Sequence, residues 1–181
     1  MKRIFVILAM TAGLSFCFGA GAAGTKAAHQ ASHAIAVVHP AADKDVHGVV
    51  KFASVPGGVR ITAELHGLKP DSRHGFHIHE YGDCSAADFS SAGGHYNPQH
   101  QAHGAPGSRA HHAGDLGNVK ADANGDAQLD LTVHGISIDG RRDPILGRAI
   151  IVHAQADDLK SQPSGDAGAR IGCGVIGLMG G

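Results

Sequence analysis

Eight short runs rich in β-branched and other apolar residues punctuate this chain, and no segment carries a convincing 3.6-residue helical period. The runs fall at Ala34–His39, Val46–Ala53, Val59–Leu65, His74–Glu80, Leu116–Ala121, Ala127–Val133, Arg148–Ala154 and Ile171–Leu178. Pro56-Gly57-Gly58 separates the second from the third, and Asn124-Gly125 precedes the sixth; both are strong turn signals. Residues 81–115 and 155–169 are long, rich in small and polar residues, and lack a period; segments of that kind are usually functional loops. This pattern argues against a helical bundle. It predicts an all-β domain, an eight-stranded Greek-key β-barrel or sandwich with two long functional loops. The 27 glycines suit tight turns, bulges and close backbone approaches.

The chain has 181 residues, a formal net charge of −1 and 43% hydrophobic residues. That composition can bury a core, and it offers no basic patch for nucleic acid. The N-terminus reads as an address. Lys2 and Arg3 precede an apolar run from Ile4 to Met10, then Thr11, Ala12, Gly13 and Leu14, and the small run that follows contains Ala20-Gly21-Ala22. A positive start, an apolar middle and an A-x-A site describe a secretory signal peptide over residues 1–22, cleaved after Ala22, with Ala23 the alternative. An uncleaved anchor fits the Gly-rich end poorly, and lipid attachment at Cys17 is disfavoured by bulky Phe16 beside it. The expected product is a periplasmic or secreted protein with no membrane attachment after cleavage. Residues 23–33 read as a flexible tail whose His29 and His33 could hold metal loosely, and residues 34–181 as the folded domain. Cleavage leaves Cys84 and Cys173, and an even pair in an oxidising compartment reads as a disulfide. Closing a loop of roughly 90 residues would contribute about 4–5 kcal/mol in the chain-entropy model.

Histidine is the compositional anomaly: 15 residues, as many as Lys and Arg together. In a strand, residues two apart share a face, so HGFHIHE projects His77 and His79 together. Alone, such a pair is a weak signal and reads first as two surface histidines. The following loop adds His95, His103, His112 and Asp115 within about twenty residues, and three imidazoles with one carboxylate suit tetrahedral Zn²⁺. A closed site of that type would order a loop that has no core of its own. His100 and His111, in the same loop, show that a histidine there needs no such role. His153 ends an apolar strand and by itself reads as a packed core residue.

Five separated segments carry a resemblance: GFHIHEYGDC, GGHYNP, HHAGDLGNV, GRAIIVHAQADDL and GARIGCGVIG. In order and spacing they resemble the signature segments of the copper-zinc superoxide dismutase family, in its secreted bacterial form, over most of residues 34–178. The resemblance implies an oxidoreductase that dismutes the superoxide anion to oxygen and hydrogen peroxide with Cu²⁺ and Zn²⁺. It implies copper on His77, His79, His95 and His153, and zinc on His95, His103, His112 and Asp115. His95 would bridge the two ions and, with Arg170, serve catalysis. Asp157 would link a copper histidine to a zinc histidine and fix their orientation. Arg170 would guide superoxide, and Cys84–Cys173 would be the disulfide within the subunit. A homodimer is compatible with the resemblance. The second loop, QADDLKSQPSGDAGAR, lacks the glutamate-rich cluster of many eukaryotic members, so guidance falls to Arg170, with Lys160 a further candidate. A non-enzymatic metal buffer on the same fold is the competing class. All four copper positions and Arg170 are present, which favours the enzyme.

Overall fold

In β3 the burial alternates residue by residue: Val59, Ile61, Ala63 and Leu65 point inward, while Arg60 and Glu64 point outward. This two-residue period of a half-covered strand recurs around the fold. The computed structural model describes residues 31–140 and 142–180; the signal peptide and nearly all of the tail expected from the sequence lie outside them. The strands are β1 (His33–Pro40), β2 (His47–Val55), β3 (Gly58–His66), β4 (Arg73–His79), β5 (Asp115–Lys120), β6 (Ala127–His134), β7 (Ala149–His153), β8 (Arg170–Val175) and β9 (Gly177–Leu178). Among the described residues the only helical piece is a 3-10 turn at Ser90–Ala92, and no helix is long and apolar enough to cross a membrane.

The hydrogen-bonded order is β5-β4-β7-β8-β1-β2-β3-β6, with every ladder antiparallel. The outermost strands of that order, β5 and β6, are joined by the 122–126 turn and lie against each other, which curls the sheet into a nearly closed barrel. β2 and β3 form a hairpin through Pro56-Gly57, where Gly57 adopts φ 80, a left-handed conformation that glycine takes without steric cost. β1 serves both halves of the barrel. Its first residues pair with β2 and β9, and His39 and Pro40 pair with β8. It begins at His33, one residue inside the segment expected to be tail.

The all-β expectation holds, with one difference. The last apolar run, read as a single strand, is split: β8 pairs with β7, while β9 crosses to the start of β1. The change of partner at Ile176, rather than any change in residue type, makes the break.

β4 and β7 depart from alternation, because nearly every residue in them is buried. Their inner faces contribute Phe76, Ile78, Ile150 and Val152 to the main core. Their outer faces are covered by the two long loops. Beneath the first loop a small second core forms from Phe89, Ala92, Ala149, Ile151 and Cys173, and Cys84 is bonded to Cys173 beside it. The outward positions of β4 and β7 beyond this patch are His77, His79 and His153. Register shifts interrupt the ladders between Gly75 and His77 and between Val152 and His153. Bulges of this kind re-aim side chains next to functional sites.

Candidate metal centre

β4 and β7 deliver His77, His79 and His153 to one outer patch. The first loop folds back over them through a bridge that pairs His79 with His95. His77, His79 and His153 are no more than 4% exposed. Two ligand sets result, and within each the donor atoms lie within 4.8 Å of one another. One comprises His77, His79, His95 and His153, and the other His95, His103, His112 and Asp115. His95 belongs to both. Every metal ligand expected from the sequence is therefore brought into one of two adjoining groups.

Hydrogen bonds decide which nitrogen of each ring faces inward. His77 donates through Nε2 to Asp157 Oδ2 at 2.8 Å, which leaves Nδ1 for the centre. His79 donates through Nδ1 to the Gly93 carbonyl at 2.9 Å, and His153 through Nδ1 to the Gly168 carbonyl at 3.1 Å. Their Nε2 atoms then face each other at 3.3 Å. His103 donates through Nε2 to Asp157 Oδ1 at 3.0 Å. Asp157 thus holds one ring from each group, and Asn118 clamps it through both of its backbone polar groups.

The second group converges on one oxygen. Nδ1 of His95, His103 and His112 lie 2.8, 3.0 and 3.2 Å from Asp115 Oδ1. The other carboxylate oxygen, Oδ2, accepts from the backbone N–H groups of Gly104 and His112. Ligands at Zn–N and Zn–O distances of about 2.0–2.1 Å on a tetrahedron stand about 3.3 Å apart, close to these separations.

Four buried ring nitrogens have no hydrogen-bond partner: His77 Nδ1, His95 Nε2, His103 Nδ1 and His112 Nδ1. The last two are near Asp115 but off the direction of a hydrogen bond. Orphaned buried nitrogens cost stability unless something binds them, and their convergence fits metal ions. His95 is the one ring common to both sets: its Nδ1 lies against Asp115 Oδ1, and its buried Nε2 has no protein partner.

Burial also sets the protonation of the rings. Desolvation, reinforced by neighbouring histidines, pushes the His95 imidazole down to about 4 and that of His153 down to about 3, and it lowers His79 as well. For Asp115 burial acts upward, but hydrogen bonds from His112 and His95 outweigh it and hold the carboxyl well below its usual range. A stability consequence follows for metal-free protein. The unfolded chain takes up protons on these histidines near pH 6.5, whereas the folded chain does not until about pH 3–4. Stability is therefore fully present above about pH 6.5 and falls steadily as acid is added. Metal-free protein should melt at a lower temperature at about pH 5 than at about pH 7.5; equal melting points would contradict the burial of neutral rings.

A cleft of about 390 Å³ opens onto His79, His95, His153 and Arg170. The Arg170 guanidinium donates to the carbonyls of Phe89 and Gly93. Burial lowers its proton affinity, opposed by Asp88, and the guanidinium remains a cation. Gly93 O thus accepts from both Arg170 and His79.

Several contributors carry no signal of their own in the sequence. Asn118 and the carbonyls of Gly93 and Gly168 act through partners far away in the chain. His74, 2% exposed and outside both groups, donates to the backbone carbonyl of His153. Its place in HGFHIHE, three residues before His77, was the available hint.

Fold and site together define a β-barrel metalloprotein with two adjoining ligand sets that share one imidazole. The sequence profile described as copper/zinc superoxide dismutase matches residues 46–176. A superoxide dismutase [Cu-Zn] of Paramecium bursaria Chlorella virus 1 is 46% identical over 138 residues, 73% of each chain. Superoxide dismutase [Cu-Zn] 3 of Arabidopsis thaliana is 42% identical over 151 residues, covering 80% of this chain and 90% of the relative. An extracellular superoxide dismutase [Cu-Zn] of Onchocerca volvulus is 40% identical over 159 residues, 82% of this chain and 77% of the relative. The chain belongs to the copper/zinc superoxide dismutase family. It is an oxidoreductase whose cofactors are copper and zinc and whose substrate is superoxide.

Proposed function

We propose that this chain dismutes superoxide at a copper ion held by His77, His79, His95 and His153, beside a zinc ion held by His95, His103, His112 and Asp115, with His95 bridging the two. The observation that carries this reading is the double membership of His95, whose two ring nitrogens serve different sets. Two lone pairs on one imidazole require loss of its ring proton, which two cations would favour. The all-histidine set suits copper, and the set with three imidazoles and a carboxylate suits zinc. Copper supplies one-electron chemistry there: two superoxide ions and two protons become one oxygen and one hydrogen peroxide, while zinc stays redox-silent.

The protein's own groups supply the rest. Arg170, half-buried in the cleft and fixed by two carbonyls, attracts and orients the anionic substrate. His95 holds a proton at Nε2 between the two half-reactions and hands it to the reduced product, with the second proton coming from solvent. Asp157 keeps His77 and His103 in the tautomers that present Nδ1 inward. Export supports the setting: the Cys84–Cys173 bond belongs to an oxidising compartment. We place the protein in the periplasm or outside the cell, released from the leader at residues 1–22, free of nucleic acid, and open to homodimer formation.

Metal analysis and a superoxide-consumption assay on the secreted protein test this reading. It expects one copper and one zinc per chain with dismutase activity. Fully loaded protein without activity overturns it, and zinc alone would make the chain a metal carrier.

Gly165 provides a finer test. It sits at φ 69, and a Cβ there would lie 1.8 Å from Asp157 Oδ1 and 2.7 Å from His103 Nε2. Gly165→Ala must displace Asp157, so zinc affinity should fall about 10- to 100-fold, as it does when ligand-orienting partners are lost. Chelator competition reads this directly, and an unchanged affinity would remove Asp157 from that role.

A further inference from the structure

Away from both ligand sets, two histidines face each other on the outer surface of the barrel. His47 opens β2 and His66 closes β3, and the two are direct partners in the antiparallel ladder. Their ring centroids are 5.5 Å apart. The same separation occurs in three co-ligand pairs of the buried centre: His79 with His153, His95 with His112, and His103 with His112. Backbone register has therefore set this surface pair inside the range of 4.0 to 6.5 Å that separates rings within the buried sets.

The hydrogen bonds around the pair point the same way. His47 donates through Nδ1 to the carbonyl of Asp45 at 2.6 Å. His66 Nδ1 is 2.8 Å from Asp126 Oδ1, a carboxylate at the start of the neighbouring β6. Each ring thus has one nitrogen tied to an oxygen, which fixes the tautomer and leaves Nε2 as a free lone pair. That arrangement of a ring anchored on one side and available on the other is the one metal-binding histidines use. Glu64, two residues before His66 and on the same face of β3, brings Oε1 to 3.9 Å from His66 Nε2. Its side chain is 70% exposed and free to swing.

We propose that His47 Nε2, His66 Nε2 and the Glu64 carboxylate form a third metal site, for a divalent transition ion, on the β2–β3 surface. Two imidazoles and one carboxylate, with water in the remaining positions, suit Cu²⁺, Ni²⁺ or Zn²⁺ and not Mg²⁺ or Ca²⁺. Among the described residues only the two buried sets already converge within 4.8 Å. The surface set closes by rotation of exposed side chains, so it binds more weakly than the buried ones and exchanges with solvent.

Equilibrium dialysis of copper- and zinc-loaded full-length protein against Ni²⁺ tests the proposal, with copper and zinc measured in the same samples. One equivalent of nickel should bind while copper and zinc are retained. His47→Ala and His66→Ala should each abolish that equivalent, and Asp126→Asn should weaken it about 10- to 100-fold through loss of the Nδ1 partner. The tail variant His29→Ala/His33→Ala and the surface variant His134→Ala should leave it intact. The proposal is overturned if no nickel binds beyond exchange with copper or zinc. It is equally overturned if the equivalent survives in both His47→Ala and His66→Ala, or disappears only in the tail variant. All of these positions lie outside the catalytic machinery, so dismutase activity and melting temperature serve as checks that each variant is folded.

Discussion

The His153→Ala protein should keep its zinc and lose copper together with dismutase activity. His153 lies at the end of β7, 4% exposed, and its Nε2 is 3.3 Å from that of His79. It belongs only to the all-histidine set, so its removal leaves His95, His103, His112 and Asp115 untouched. The remaining three rings would surround an incomplete site beside an open cleft. Activity should fall to the level of metal-free protein, while zinc content stays at one per chain. Metal analysis of the purified variant separates the two ions cleanly. A variant that retained copper and activity would strike His153 from the ligand set, and one that lost both metals would show that the two sets cannot form independently.

The second large effect concerns the Cys84–Cys173 bond. It spans 89 residues, and releasing a loop of that size should cost about 4–5 kcal/mol in the chain-entropy model. For a domain of this size that corresponds to a fall in melting temperature of about 8–20 °C. The double variant Cys84→Ser/Cys173→Ser, followed calorimetrically, measures it. Activity should fall as well, for a separate reason. The bond tethers the segment whose Phe89 and Gly93 carbonyls hold the Arg170 guanidinium, and Gly93 also orients His79. Loosening that segment frees the arginine and a copper-site ring at once. A small shift in melting temperature with unchanged activity would mean that the small core containing Phe89 and Ile151 suffices to hold the loop.

The sequence made some of this legible and not the rest, for identifiable reasons. Strand positions are visible because alternation is local, and β3 shows it without interruption. His77 and His79 are visible because a two-residue spacing needs only a strand to put both on one face. His95, His103 and His112, with Asp115 at the start of β5, are visible as a cluster of ligand-type residues in and beside a long loop without a period. Asn118, Gly165 and the carbonyls of Gly93 and Gly168 were hidden, because each acts on a residue brought near only by folding. An asparagine in a strand and a glycine in a glycine-rich loop look like many others. The break between β8 and β9 was hidden for the same reason: IGCGVIGL is uniform in composition, and only the loss of β7 and the move from the end of β1 to its start divide it.

β1 also bears on timing. Among the described residues, the first strand to be synthesised pairs with the last two, β8 and β9. Contacts between the two ends of a chain are slow to form, and here they cannot form until the C-terminal residues have been synthesised. Until then the barrel has a missing wall, and Cys84 has no partner. The full barrel therefore closes late, even though local hairpins such as β2–β3 need no C-terminal partner. If the leader proposed for residues 1–22 directs export, closure of the barrel and of the disulfide would then fall after passage through the membrane.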